Sequence, residues 1–281
     1  MSTWLSPVPF GWEDFVEQAL QEDIGTGDIS SATLPHGRVV EWYIEAQGTG
    51  IVSGLGVVEY LLRPNMEHEE LEILASDGDV VAPGKIVAKG KLAAADALQY
   101  ERTALNFLMH MSGIATATSH YVDQVKDTRA KIVDTRKTLP GLRLVQKYAV
   151  RCGGGFNHRM GLYDAVMIKD NHIQAHGSIT NAIEATRKMV GHMVKIEIEC
   201  ENEIQVQEAL QTKCEVIMLD NMPPREMAHI VKKYAGQAIF EASGGVNLAS
   251  VKEIAESGVD VISVGAITHS VVSVPFHMEL R

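Results

Sequence analysis

Arg136, Lys137, Arg159 and Lys169 are the residues whose types and spacing first suggest chemistry. Arg136 and Lys137 lie in VDTRKTLPG, where Ile132, Val133 and Thr135 read as a strand end and a Pro-Gly breaker follows. Eight Lys or Arg and three Asp stand between Lys131 and Asp170, in a chain of formal net charge -11. Arginine grips a carboxylate with a planar two-pronged fork, and lysine supplies a compact point charge. Cations at strand ends therefore suggest an anion site, whereas Arg143, Lys147 and Arg151, four residues apart, read as a solvated helix face.

Three further stretches extend the pattern. GGGFNHRMG, Gly153 to Gly161, offers glycines for a bend or a close backbone approach, then His158 and Arg159. Glu199 and Asp220 close two successive apolar runs, where carboxylates bind Mg2+ or sugar hydroxyls, or stabilise developing positive charge. A structural salt bridge from Glu199 to Lys169 or Arg159 is the plainer alternative. Glu197 and Glu199 alternate and so face one way from a strand, and either could reach a ligand. In EASGGV and SVGAITHS, Ser243, Gly244 and Gly265 can expose backbone N–H groups to a phosphate. The residues together describe a phosphorylated sugar, with Mg2+, beside a second anionic substrate.

Positioning these side chains requires a repeated unit. KIVDT, DAVMIKD, VKIEIEC, EVIMLDN, AIFEAS and DVISVGA are short apolar runs, each followed by a helical segment. Their polar markers, Asp134, Lys169, Glu199, Asp220, Glu241 and Ser263, are 35, 30, 21, 21 and 22 residues apart. That spacing predicts a parallel sheet of strand-helix units, open or closed into a barrel. No run is followed by GxGxxG, which weakens a dinucleotide-binding sheet. Ser178 and Asn202 are expected helix caps. Up to about residue 112 the pattern is mixed. WEDFVEQALQED and a segment from near Ala94 read as helices, with Leu98, Leu105, Leu108, Met109 and Met111 on the apolar side of the second. EWYIEAQGTGIVSG and DGDVVAPGKIVAKGKL read as strands.

Bulk properties bound the function. The chain has 281 residues, 46% of them hydrophobic and 22% charged, as in soluble globular proteins. No run approaches a membrane span. The N-terminal MSTWLSPVPFGWEDF lacks a basic then apolar leader pattern, so a cytoplasmic location is expected. Cys152, Cys200 and Cys214 have neither metal nor redox spacing, which suits a reducing compartment and buried packing. The acidic balance argues against nucleic acid as a partner.

Read in order, EDIGTGDIS, ERTALNFLMHMSGIAT, DTRKTLPGLRLVQKYAVRCGGGFNHRMGLYDAVMIKDNH, IEIEC, LDN, EASGGV and DVISVGAITHS resemble the quinolinate phosphoribosyltransferase family. The resemblance covers nearly the whole chain. It implies an N-terminal α/β sandwich over residues 1–112, with the tail 270–281 as a candidate to pack back on it. An incomplete parallel β/α barrel is implied over 113–281. It also implies transfer of phosphoribose from phosphoribosyl pyrophosphate to quinolinate, with loss of pyrophosphate and CO2, to give nicotinate mononucleotide for NAD biosynthesis. Mg2+ is the implied cofactor.

Residue roles come with the resemblance. Arg136, Arg159 and Lys169 match the quinolinate-binding cations, with His158 and Thr135 nearby. Arg102 matches an arginine lent by the partner subunit of a homodimer. Lys137 matches a pyrophosphate-side lysine. Glu199 and Asp220 match carboxylates beside the ribose and its metal, and with Lys137 form the implied catalytic set. Ser243, Gly244 and Gly265 match the 5′-phosphate cradle, with His269 close to it. Two rivals follow from the residues alone. One is a Schiff-base aldolase with Lys169 as nucleophile. The other is a carrier hairpin in DGDVVAPGKIVAKGKL, which lacks a lysine flanked by methionines.

Overall fold

The computed structural model describes residues 11–35, 37–63 and 70–281. The reading of the N-terminus as leader-free falls largely on residues 1–10, which lie outside the described residues. Among the described residues no helix is long and apolar enough to cross a membrane.

In chain order the elements are α1 (Glu13–Ile24), β1 (Val39–Ala46), β2 (Gly50–Ile51), α2 (Leu55–Leu62), β3 (Leu71–Ile73), β4 (Val80–Val81), β5 (Ile86–Ala93) and the long α3 (Ala94–Val125). Strand-helix alternation follows: β6 (Lys131–Val133), α4 (Arg143–Cys152), β7 (Val166–Ile168), α5 (Asp170–His176), α6 (Ile179–Met189), β8 (Ile196–Cys200), α7 (Glu203–Gln211), β9 (Val216–Asp220) and α8 (Pro224–Lys233). The chain closes with β10 (Ile239–Ser243), α9 (Val251–Glu256), β11 (Val261–Ser263), α10 (Ala266–His269) and β12 (Phe276–Leu280). Two compact units result. One holds residues 1–119, 138–154 and 267–281, and the other holds 120–137 and 155–266.

The first unit contains an antiparallel sheet in the order β12-β1-β5-β3 and a small β2-β4 ribbon. Alternation along β1 buries Trp42, Ile44 and Ala46 on one face. The tail strand β12 pairs antiparallel with β1, Ile44 opposite Met278. In α3, Leu105, Leu108 and Met111 are buried, but Leu98 is exposed. Thr116 and Thr118 donate their hydroxyls to the carbonyls of Ser112 and Ile114, so these residues continue the helix instead of ending it.

Helix α4 corrects the expectation of a solvated basic face. Lys147 is fully buried, and Arg143 and Arg151 are half-buried. The helix is enclosed around most of its circumference, with Val145, Gln146, Tyr148, Ala149 and Val150 buried as well. Spacing alone could not show this, because a basic triplet every four residues is the same pattern whether the face is wet or covered.

The second unit holds a parallel sheet in the order β6-β11-β10-β9-β8-β7. The two ends of this order, β6 and β7, are not paired with each other, so the barrel is incomplete. The outer edge of β6 is met instead by Phe156: its N–H donates to Ile132 O at 2.9 Å and its carbonyl accepts from Asp134 N–H at 3.2 Å. Ser178 caps α6 by accepting from Asn181 N–H, and Asn202 caps α7 by accepting from Gln205 N–H, both at 3.1 Å. The barrel-facing positions of the strands form layers two residues apart.

The glycine run at the end of α4 has a packing role. A Cβ on Gly153 would lie 2.2 Å from Ala115 O and 2.7 Å from Thr118 Cβ, and Gly154 turns the chain at φ +85°. The Ala115 contact is with backbone and cannot be relieved by a rotamer. Gly153→Ala is expected to destabilise the chain by about 1–3 kcal/mol, the range for overpacking. Urea unfolding measures this, and wild-type stability would mean that α3 and α4 separate at no cost.

Candidate active site

A cavity of about 730 Å³ opens at the C-terminal ends of the parallel strands and is built wholly from the second unit. Its wall is sorted by charge. Arg136 and Lys137 follow β6, Arg159 precedes β7 and Lys169 follows it, so the cations flank the unpaired seam. Glu199 is the penultimate residue of β8, and Asp220 ends β9. Ser243 ends β10 with Gly244 and Gly245 after it, and Ser263 ends β11. Asp170 and Glu201 add carboxylates to the wall.

The cations are positioned by a buried acid. Asp134 is wholly enclosed, accepting from Asn157 Nδ2 at 2.5 Å and from His158 N–H at 3.0 Å. It ties the loop 157–159 to the residue that follows β6, which brings Arg159 into the same wall as Arg136. Burial first, and then the charge of Arg136, lower the Arg159 pKa from the ordinary guanidinium value. Two like charges held together with partial loss of water leave a place where an anion is favoured. Arg159 Nη1 donates to Ala165 O at 3.1 Å, which fixes its stem. Lys169 forms an ion pair with Glu199.

The structure separates the two glutamates of β8. Glu199 lies at the cavity wall, whereas Glu197, one layer deeper, is buried against His158, with Nε2 at 3.0 Å from Oε2. Glu241 occupies the same deep layer of β10 and is not at the strand end, which falls to Ser243. Burial, followed by the neighbouring charge of Glu197, pushes the Glu241 carboxyl up to about 8. Both nitrogens of His158 are engaged within the chain, since Nδ1 accepts from Arg159 N–H at 2.7 Å. The deep pair was missed as a unit by pattern reading. The signal available was the carboxylate two residues before each polar strand end, in IEIE and EAS.

Glycine is required at one wall position. Gly244 has φ +93°, and a Cβ there would lie 2.1 Å from Asn221 Oδ1. Asn221 itself takes a left-handed conformation, φ 54°, and its N–H donates to Ser243 O at 2.9 Å. The ends of β9 and β10 are thereby locked with backbone facing the cavity.

Ten of the expected site residues share this wall: Thr135, Arg136, Lys137, His158, Arg159, Lys169, Glu199, Asp220, Ser243 and Gly244. Gly265 follows β11 by two residues but does not line the cavity. His269 ends α10, exposed, with Nδ1 2.7 Å from Ser270 Oγ. Arg102 lies on α3 in the other unit. Its side chain is 59% exposed and 3.8 Å from Glu101. For a divalent cation, Glu199 and Asp220 offer carboxylate oxygens on adjacent strand ends, a donor set that suits hard Mg2+.

Comparison with known proteins gives a consistent picture. The family profile "Quinolinate phosphoribosyl transferase, C-terminal domain" matches residues 114–279, and its N-terminal-domain counterpart matches 28–112. A Bacillus subtilis protein named a probable carboxylating nicotinate-nucleotide pyrophosphorylase is 44% identical over 259 residues, covering 92% of this chain and 90% of its own. The carboxylating nicotinate-nucleotide pyrophosphorylase of Mycobacterium leprae is 41% identical, covering 92% and 93%. A crystal structure of nicotinate-nucleotide pyrophosphorylase from Ehrlichia chaffeensis superposes with a TM-score of 0.93 at 39% identity, covering 98% of this chain and 100% of that one.

The deep carboxyl sets a pH dependence of stability. Glu241 binds its proton more tightly folded than unfolded, where it titrates near 4.5. The stabilisation from that proton is whole below the unfolded value and is lost as pH rises through the folded one. Glu241→Gln, which does not titrate, should therefore gain stability relative to the natural chain between about pH 5 and pH 8. Thermal unfolding of both across that range tests this. A difference that stays constant with pH would mean Glu241 is ionised throughout.

Proposed function

This chain belongs to the quinolinate phosphoribosyltransferase family, and from that membership we propose that the cavity transfers phosphoribose from phosphoribosyl pyrophosphate to quinolinate, releasing pyrophosphate and CO2 and forming nicotinate mononucleotide. The observation that carries this reading is the gathering of Arg136, Lys137, Arg159 and Lys169 on one sector of the cavity wall, along the seam and beside the carboxylates of β8 and β9. Quinolinate, with two adjacent carboxylates, matches that sector.

Arg136, Arg159 and Lys169 grip the two carboxylates, and Thr135 lies beside them. His158 contributes no ring N–H, because both nitrogens are spent inside the chain. Its part is to shape the wall. Lys137 faces the departing pyrophosphate. Ser243, Gly244 and Gly245 bring backbone to the 5′-phosphate, with Gly265 and His269 as outer members of that cradle. Glu199 and Asp220 stand where positive charge builds at C1 of the ribose as the C–O bond to pyrophosphate breaks. The same two residues would hold Mg2+, which supplies charge neutralisation for the pyrophosphate.

The quinolinate nitrogen forms the new bond to C1 and becomes cationic. The carbon–carbon bond to the adjacent carboxylate then breaks, and its electron pair remains on the ring carbon beside the cationic nitrogen. A proton from solvent completes the product. Holding the ring by two carboxylates fixes the line of attack, which is an entropic contribution. Arg102, exposed on α3, is the residue we assign to the site of a second copy in a homodimer. The three buried free cysteines favour a reducing compartment such as the cytoplasm.

Mixing the chain with quinolinate, phosphoribosyl pyrophosphate and Mg2+ should yield nicotinate mononucleotide and CO2 in equal amounts. CO2 without nucleotide, or no product, would sink the reading. Arg136→Ala removes a charge-assisted contact worth about 1.5–3 kcal/mol, so activity should fall roughly 10- to 100-fold. Near-normal turnover would remove Arg136 from the site. Gly244→Ala should raise KM for phosphoribosyl pyrophosphate by roughly tenfold or more, the scale of a lost phosphate contact, and leave KM for quinolinate nearly unchanged. Equal rises in both would show a general collapse of the wall.

A further inference from the structure

Beneath the cavity wall lies a group of side chains that the transfer reaction does not use directly. His158 Nε2 is 3.0 Å from Glu197 Oε2 and 3.6 Å from Glu241 Oε1. Both glutamates are buried, and one oxygen of each, Oε1, lacks a hydrogen-bond partner. His158 Nδ1 accepts the Arg159 peptide N–H at 2.7 Å. A ring nitrogen that accepts carries no proton, so the imidazole is neutral and its single N–H lies on Nε2, aimed at Glu197.

With the histidine neutral, the charge of Arg159 reaches Glu197, but among the described residues no cation faces Glu241. Two anions in contact at that depth cannot both stay ionised, and one proton between them satisfies both orphaned oxygens. Glu241 is the holder of that proton, because it is the more buried of the two and faces Glu197 from β8, His158 from the loop and the Ser263 hydroxyl from β11. Its register partner on β9, Met218, is apolar.

We propose that Glu241 and Glu197 are positioning residues for quinolinate binding: Glu241, as a neutral acid donating to Glu197, keeps Glu197 as the acceptor that fixes His158 in its Nε2–H tautomer, and His158 Nδ1 in turn holds the peptide of Arg159. The chain of contacts thus runs from the barrel interior to a guanidinium on the cavity wall. This inference rests on the reading of the cavity as the quinolinate site. The three ligand atoms also lie within 4.8 Å of one another, close enough to hold a cation. The Nε2–H directed at Glu197 favours the proton.

The test is long-range 1H–15N NMR of the histidine-labelled chain without substrates, with His158 assigned by loss of its signals in His158→Gln. The ring should be the neutral Nε2–H tautomer between about pH 6 and pH 8. Glu241→Gln, whose amide donates to Glu197 as the acid does, should retain that tautomer and a quinolinate KM within about threefold. Glu241→Met removes the donor to Glu197 and should draw a second proton onto His158. Quinolinate KM should then rise roughly tenfold, with a smaller change in kcat.

If Glu241→Met does not fold, the natural chain and Glu241→Gln still separate the cases. Above about pH 8 quinolinate KM should rise in the natural chain more steeply than in the Gln variant. An Nδ1–H ring or an imidazolium in the natural chain would overturn the proposal. So would parallel pH curves, or stoichiometric Zn2+ or Mn2+ binding that Glu241→Gln abolishes. The tautomer is read without substrate, so a chain inactive on quinolinate but carrying the Nε2–H ring refutes the function and not the network.

Discussion

Asp134 is a carboxylate without access to water, and the disposition of the cavity's cations depends on it. It follows β6 directly, and its two oxygens accept from the side chain of Asn157 and the backbone of His158. The chain leaves β6 through Thr135, Arg136 and Lys137, travels through α4, and returns with Arg159. Together with the pairing of Phe156 to β6, the acceptor at Asp134 holds the two segments side by side against the repulsion of their cations. The burial cost of the carboxyl group is offset by the hydrogen bonds it accepts, which also place the loop. The arrangement makes an anion-binding wall from groups that would separate if left to themselves.

The interior beneath is organised by the two-residue period of the strands. On β8, Glu199 reaches the wall and Glu197 lies below it. On β10, Ser243 reaches the wall and Glu241 lies below. On β9, Asp220 lies above Met218. The wall layer meets ligand and solvent, and its charges can be screened or paired by either. The deep layer can do neither, so its acids must share a proton or draw on histidine. The same residue type therefore has two functions, separated by one step along a strand.

Much of this was legible in the sequence. The recurrence of six apolar runs with polar ends gave the parallel sheet, and the caps Ser178 and Asn202 gave the helices between. Most wall residues were visible because they stand at or just after the C-terminal end of an apolar run, whereas His158 and Arg159, before β7, were visible through the glycine run. What was hidden is non-local. Lys147 reads as solvated until the elements that enclose α4 are known. Gly153 reads as a ligand-facing loop residue, but its constraint comes from Ala115 and Thr118 on α3. Pairing of Phe276–Leu280 with β1 joins residues more than two hundred positions apart, and no local pattern encodes it; only the family resemblance pointed to the tail packing back. Glu197 and Glu241 could be placed on the correct face by alternation, but their mutual contact depends on barrel curvature.

The separation of signs around the mouth gives the site its logic. Cations stand along the seam between β6 and β7, where no strand pair closes the barrel. Carboxylates stand on β8 and β9, where they would face the ribose in the proposed reaction. Small residues stand on β10 and β11, where a phosphate can approach backbone. The Lys169–Glu199 ion pair is the point where the two sectors touch, and there one lysine can be shared between a substrate carboxylate and the acid beside the ribose. An anion arriving at Lys169 would compete with Glu199 for the one ammonium group, so in the proposed reaction the two sectors would be coupled at that contact.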